Sequence, residues 1–200
     1  MHKVFVSYYH ADDQYYKNML VDWAKDENIF IDGSVDTGDI DDEDMTDQEI
    51  RCLIRDNYLR ETTVTIVLVG QNTKHRKHVD WEIYSSMFDG PINKKSGIIV
   101  ILLPSAKSDS YTAGHEQEKP VVYPNETNWI TITDRSEYER RYPYLSDRLI
   151  DNLVKSHVYI SVVNWEHLTA YKLRYMIECA YNDRTKCDYD LSRPMKRRNG

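Results

Sequence analysis

Thr63-Val-Thr-Ile-Val-Leu-Val69, closed by Gly70, is the stretch on which the fold turns. It carries no charge, and six of its seven residues are β-branched. Such side chains lose rotamer freedom in a helix and pack well on a pleated surface. A continuous β-branched run without charges suits a central parallel strand covered on both faces. Ile98 to Leu103, stopped by Pro104, has the same character. Working towards the amino terminus, Val4 to Tyr8 forms a short strand, and Tyr15, Tyr16, Met19, Leu20 and Trp23 follow at helical spacing. Ile29 to Ile31 is a second short strand ending in the turn pair Asp32-Gly33. Thr46 and Glu49 fit a capping box, and Ile50, Leu53, Ile54 and Tyr58 line one face of the helix behind it. Residues 79 to 89 form a third helix. The alternation predicts an α/β fold, a doubly wound, mostly parallel sheet with right-handed crossovers.

The pattern changes after Pro104. Residues 105 to 128 are polar, hold two prolines and have no periodicity, which predicts a long surface loop or lid. A helix near 144 to 155 follows, then a last helix from Asn164, with Trp165, Leu168, Tyr171, Tyr175 and Cys179 on one face. The chain therefore reads as one domain over 1–200: a core at 1–104, a variable loop at 105–128 and a C-terminal helical extension at 129–200.

The three cysteines show no CxxC spacing, and 200 residues bury a core without disulfide staples. No signal-peptide pattern opens the chain and no apolar run approaches membrane-spanning length, so the expectation is a soluble cytoplasmic protein without a membrane partner. The net charge is −7, but nine acids and no Lys or Arg lie between Asp32 and Ile50. The remainder is close to neutral and offers no footprint for nucleic acid; the basic end Arg193-Pro-Met-Lys-Arg-Arg198 reads as a solvated tail.

Ligands of open parallel sheets bind outside the carboxyl ends of the strands. The eligible segments are Ser7–Asp13, Asp32–Thr46, Gln71–Glu82 and the stretch after Pro104. The chain has no GxGxxG, P-loop, GxSxG or HExxH pattern. A calcium loop starting at Asp39 fails, because Asp44 stands where the sharp-turn glycine belongs and Ile50 where the bidentate Glu belongs. His10, His75 and His78 are scattered, so no metal site is predicted. Glu82 follows a polar, basic loop at the ligand edge. Taken alone, it also reads as an acid complementing the dipole of a helix start.

Val4-Phe-Val-Ser-Tyr-Tyr-His-Ala-Asp-Asp13 resembles the first strand of TIR domains, an apolar strand ending in Phe-Ser-Tyr and followed by an acid. The order of elements through Leu103, ending in a helix that bears a Glu, is similar to the TIR order, which implies a flavodoxin-like sheet. TIR enzymes place Trp four residues and Cys three residues before that Glu. Here His78 and Val79 stand there, and Trp81 directly precedes Glu82. This departure resembles the bacterial branch typified by the sensor protein of the Thoeris anti-phage system, as does Tyr159-Ile-Ser-Val-Val-Asn-Trp165.

The resemblance implies an enzyme that cleaves NAD at the nicotinamide–ribose bond, with NAD as substrate and no cofactor. It further implies that ADP-ribose is cyclised into a diffusible nucleotide signal that activates an effector NADase, with room for a phage-derived trigger and a homo-oligomer. Glu82 is then the catalytic carboxylate. Phe5, Ser7, Tyr8, Tyr9, Ser34, Asp36, Arg76 and Trp81 are the candidate substrate-binding residues. Phe5 and Trp81 equally suit packing, Ser7 suits a turn cap, and Arg76 suits a solvated loop. Two rival readings are a non-enzymatic TIR interaction module and a metal-dependent nucleotide hydrolase built on Asp36 and Asp39.

Overall fold

The structure is a computed structural model describing residues 1–34, 44–91 and 93–200. Its elements run β1 (Lys3–Ser7), α1 (His10–Asp26), β2 (Ile31–Asp32), α2 (Asp47–Asn57), β3 (Val64–Val69), α3 (Lys77–Met87), β4 (Gly97–Leu102), α4 (Lys119–Val122), α5 (Arg135–Arg141), α6 (Asp147–Leu153), β5 (Ile160–Asn164) and α7 (Ala170–Asp183). The five strands form one parallel sheet in the order β2-β1-β3-β4-β5. Every residue of β3 and β4 is buried, as expected of uncharged strands rich in Val and Ile that are covered on both faces.

Helices cover both faces. On one, α1 and α7 bring Leu20, Ala24, Leu173 and Met176 against Val6, Ile66, Leu68 and Ile101. On the other, α3, α5 and α6 bring Val79, Ile83, Tyr138 and Leu149 against Val67, Val69, Val100 and Val162. A third cluster, Phe5, Ile50, Ile54, Leu59, Trp81 and Met195, joins α2 to α3. The capping box at Thr46 and Glu49 closes the start of α2 in both directions. Strand order reverses between β1 and β3, so the loops leaving these two strands diverge and open the crevice in which such sheets hold ligands.

Several boundaries differ from expectation; the second strand is Ile31–Asp32 rather than Ile29–Ile31. The third helix starts two residues earlier, at Lys77, and ends at Met87. The helix expected at 144–155 is the shorter α6, Asp147–Leu153, which starts behind the cap residue Ser146; α5, Arg135–Arg141, was not expected and ends before Pro143, which disfavours helical backbone at the residue preceding it. Asn164 opens a short 3₁₀ turn rather than the last helix, which starts at Ala170 behind the cap residue Thr169. The core does not end at residue 104. Ile160–Asn164 is the fifth strand, paired from Ile98↔Ile160 to Leu102↔Asn164, so part of the segment read as a helical extension completes the sheet.

Residues 105–128 are likewise not a free lid. Thr112 bridges Val162 in antiparallel fashion, exchanging two backbone hydrogen bonds of 3.0 and 2.9 Å. Asn164 Nδ2 donates to the Ser108 carbonyl, and the Ser161 hydroxyl donates to the buried Glu118 carboxylate at 2.6 Å. The segment covers the outer edge of β5, whose unpaired backbone groups would otherwise invite association with other chains. β5 stands three strand spacings from β1, roughly 14 Å.

The basic end is not a solvated tail either. Met195 is buried in the Phe5–Trp81 cluster, and the surrounding residues cross α3. An apolar side chain inside the basic run was the sequence signal for this docking. Among the described residues no helix is long and apolar enough to cross a membrane.

Candidate active site

β1 alternates its side chains, so Phe5 and Ser7 point to the face covered by α2 and α3, while Val4 and Val6 point to the face covered by α1. Ser7 is the last residue of β1 and Glu82 lies in the second turn of α3, directly over it. The Ser7 hydroxyl donates to Glu82 Oε2 at 2.6 Å. Position in the second turn removes Glu82 from the helix start: the first-turn acid is Asp80, which faces Arg148 instead. Glu82 is only 5% exposed, and burial pushes its carboxyl up to about 8 against a smaller opposing effect of the Ser7 hydroxyl. A lone carboxylic acid is thus held largely neutral at the crevice between β1 and β3.

Tyr9 and Arg76 meet at the same sheet edge. Tyr9 precedes α1, Arg76 precedes α3, and the guanidinium lies 3.9 Å above the centre of the Tyr9 ring. Arg76 Nε is buried without a hydrogen-bond partner, so one donor at this edge is unused. Asp13 also belongs to the edge. Its buried carboxylate accepts from the Thr73 hydroxyl at 3.1 Å, and the same hydroxyl accepts from the Gly70 amide at 2.8 Å. Burial raises the Asp13 carboxyl and the Thr73 bond opposes the rise. Any side chain at position 70 would collide with Asp13, its Cβ falling 2.6 Å from Oδ1. Asp13 lay within an eligible segment, but an acid near a helix start gives no local sign that it ties two loops together.

The remaining candidates divide. Ser34 sits beside the end of β1, accepting from the Val6 amide at 2.9 Å, and its own amide donates to Asp32 at 2.9 Å. Tyr8 turns to the opposite face, where its ring stacks on His10 and its hydroxyl donates to Gln14 at 2.7 Å. Phe5 and Trp81 are 2% and 0% exposed and offer no open ring face to a ligand; Trp81 Nε1 donates to the Lys196 carbonyl at 2.7 Å. Both are core between α2 and α3, not stacking platforms. Asp36 and Asp39 lie outside the described residues. Among those described, no group of three or more His, Cys, Asp or Glu side chains converges in a way that holds a metal.

Two cavities of about 500 Å³ and 520 Å³ open elsewhere, one among Tyr111, Trp129 and Tyr159 beside β5, the other among Lys74, Tyr142 and Lys196. Glu82 lines neither. These two open spaces do not coincide with the perturbed carboxyl, and the carboxyl is the better guide to chemistry because its environment, unlike an open cleft, has a specific chemical consequence.

A family model for the TIR-like domain of Thoeris protein ThsB matches residues 5–108. The chain belongs to this family. The ThsB TIR-like match runs from within β1 to just past β4, so it contains Ser7, Tyr9, Ser34, Arg76 and Glu82. β5 and the docked C-terminal residues lie beyond it. No curated protein and no solved structure matches the chain.

Proposed function

We propose that this protein is a TIR-domain enzyme of anti-phage defence that cleaves NAD at the nicotinamide–ribose bond, with Glu82 as the catalytic carboxylate. The observation that carries the reading is the Ser7–Glu82 pair: one buried carboxyl, raised to about 8, at the strand-order switch of a ThsB TIR-like sheet. Membership of a Thoeris family supports the defence setting.

The chemistry needs only one carboxylate. When the bond from the ribose anomeric carbon to the pyridinium nitrogen breaks, its electron pair returns to the ring and nicotinamide leaves neutral, so no acid is required. The ribose gains oxocarbenium character, which a nearby carboxylate stabilises. A bound pyridinium ribosyl group carries positive charge and lowers the Glu82 pKa, so the substrate itself favours the ionised form. Ribose hydroxyls then compete for the lone pairs now taken by Ser7. Burial excludes water, which favours capture of the cation by a nucleophile of the same molecule over hydrolysis. Ring closure with loss of one proton yields a cyclic ADP-ribose isomer, the diffusible signal for an effector NADase. Arg76, with its unused donor, is the candidate for the pyrophosphate.

A second reading has an observation in its favour. Glu82 lines neither cavity, which suits a TIR module that works by association rather than catalysis. Incubation with NAD, with and without a phage-derived trigger, followed by mass spectrometry separates the two. Release of nicotinamide that disappears in Glu82→Gln supports the enzyme. Turnover that survives in Glu82→Gln removes Glu82 from the reaction, and no release under triggered conditions favours the module.

A further inference from the structure

Residues 193–200 return to the helix that carries Glu82. Arg76, the residue before α3, provides no side-chain acceptor for the amides of the first turn. The acceptor comes from far away in sequence: the Lys77 amide donates to Asn199 Oδ1 at 2.9 Å. The Gly200 amide donates to the His75 carbonyl at 3.1 Å, the Lys196 amide to Asp80 Oδ2 at 2.9 Å, and Trp81 Nε1 to the Lys196 carbonyl at 2.7 Å. Met195 packs beside Trp81 and Phe5. The contacts fall on positions 77, 80 and 81, just before Glu82, and on Phe5, which shares its strand face with Ser7. Both partners of the Ser7–Glu82 bond therefore stand on backbone that this strap braces.

We propose that the strap 193–200 positions the candidate catalytic carboxylate, with Asn199 capping α3 in trans so that Glu82 stays covered against Ser7. The inference rests on the reading of Glu82 as catalytic, and it adds a control on that residue from outside the segment matching the family. An uncapped first turn frays, and fraying of α3 admits water beside Glu82. Among the described residues no charged group counts among the causes of the Glu82 shift, which are burial and the opposing Ser7 hydroxyl; on the elements packed around it, Asp80 pairs with Arg148, Arg55 of α2 donates to the Ser85 carbonyl and the Arg76 guanidinium lies over Tyr9. Cover is thus the main influence that holds Glu82 neutral, and hydration returns it towards an ordinary glutamate.

The test uses the full chain carrying Asn199→Ala or Asn199→Asp. Glu82 ionisation is followed without substrate by carboxyl ¹³C NMR against pH, and kcat and KM for NAD are measured alongside. Asn199→Ala should lower the Glu82 midpoint by about one pH unit, moving the rising limb of the activity profile to lower pH, and cut the plateau kcat several-fold at nearly constant KM because a frayed, hydrated turn no longer holds the carboxylate in place. Asn199→Asp, whose carboxylate also accepts from a first-turn amide, should restore both. An Asn199→Ala protein that melts earlier yet titrates and turns over like the parent would reduce the strap to a structural brace and overturn the proposal. The titration is read in the absence of NAD, so its failure is distinguishable from failure of the enzymatic reading, which Glu82→Gln decides.

Discussion

Glu82 couples function to stability through one proton. In the folded chain its carboxyl titrates near 8, against 4.5 when unfolded. Between those values the folded state holds a proton that the unfolded state has released, so folding stability falls as pH rises through this window and levels off above it. Glutamine cannot ionise and still bonds to the Ser7 hydroxyl. Glu82→Gln should therefore abolish NAD cleavage while raising the melting temperature, with the gain growing from pH 5 to pH 8; thermal melts at three pH values read this, and a constant difference would refute it. Ser7 acts in the opposite sense, since its hydroxyl bond favours the ionised carboxylate. Ser7→Ala should shift the rising limb of the activity profile to higher pH, measured as kcat/KM from pH 6 to 9. The sequence placed Ser7 and Glu82 at the ligand edge separately, through strand ends and helix starts. It did not show that they touch, because a contact across 75 positions depends on how α3 crosses β1. Phe5 and Trp81 looked eligible for stacking by their nearness to the edge, but the period of β1 and the docking of Met195 turn both into core.

At the scale of elements, β1, β3 and β4 were legible because each is an apolar or β-branched run, with helical spacing between the strands and a capping box at Thr46; β2, only Ile31–Asp32 and partly exposed, was legible mainly by the turn pair Asp32-Gly33 beside it. β5 is equally apolar, with Ile160, Val162 and Val163, yet it was read with the extension because a long unperiodic segment separates it from β4. That segment has no local pattern because its partner is an edge strand distant in sequence, which also explains Gly114. A Cβ there would lie 2.6 Å from the Ile160 carbonyl carbon and 2.8 Å from its nitrogen and oxygen. Gly114→Ala should push the cover away from β5, costing about 1–3 kcal/mol and exposing a strand edge. The check is a lowered denaturation midpoint together with concentration-dependent aggregation by light scattering. If the segment were a lid over Glu82, the same substitution would alter NAD turnover at unchanged stability.

At the scale of the whole molecule, one buried ion pair joins regions that the sequence presents as unrelated. Arg148 of α6 is 1% exposed and grips Asp80 of α3 through Nε at 2.9 Å and Nη2 at 3.0 Å. Its guanidinium also donates to the carbonyls of Arg193 at 2.9 Å and Pro194 at 3.0 Å, so helix, helix and strap converge on one side chain. A buried pair of this kind adds little net stability over apolar residues of the same volume, yet removing one partner strands the other charge. Arg148→Ala should therefore cost about 3–5 kcal/mol and lower the melting temperature by roughly 10 °C. Arg148→Met combined with Asp80→Asn should recover a large part of the loss, because no unpaired charge remains buried. The double variant still lacks the bonds to the Arg193 and Pro194 carbonyls, and a neutral amide oxygen must replace the Asp80 carboxylate as acceptor for the Lys196 amide. Amide hydrogen exchange at residues 193–200 should thus stay faster than in the parent even where the melting temperature returns. Recovery of protection in the strap together with stability would show that Arg148 serves the α3–α6 contact alone and that the strap docks without it.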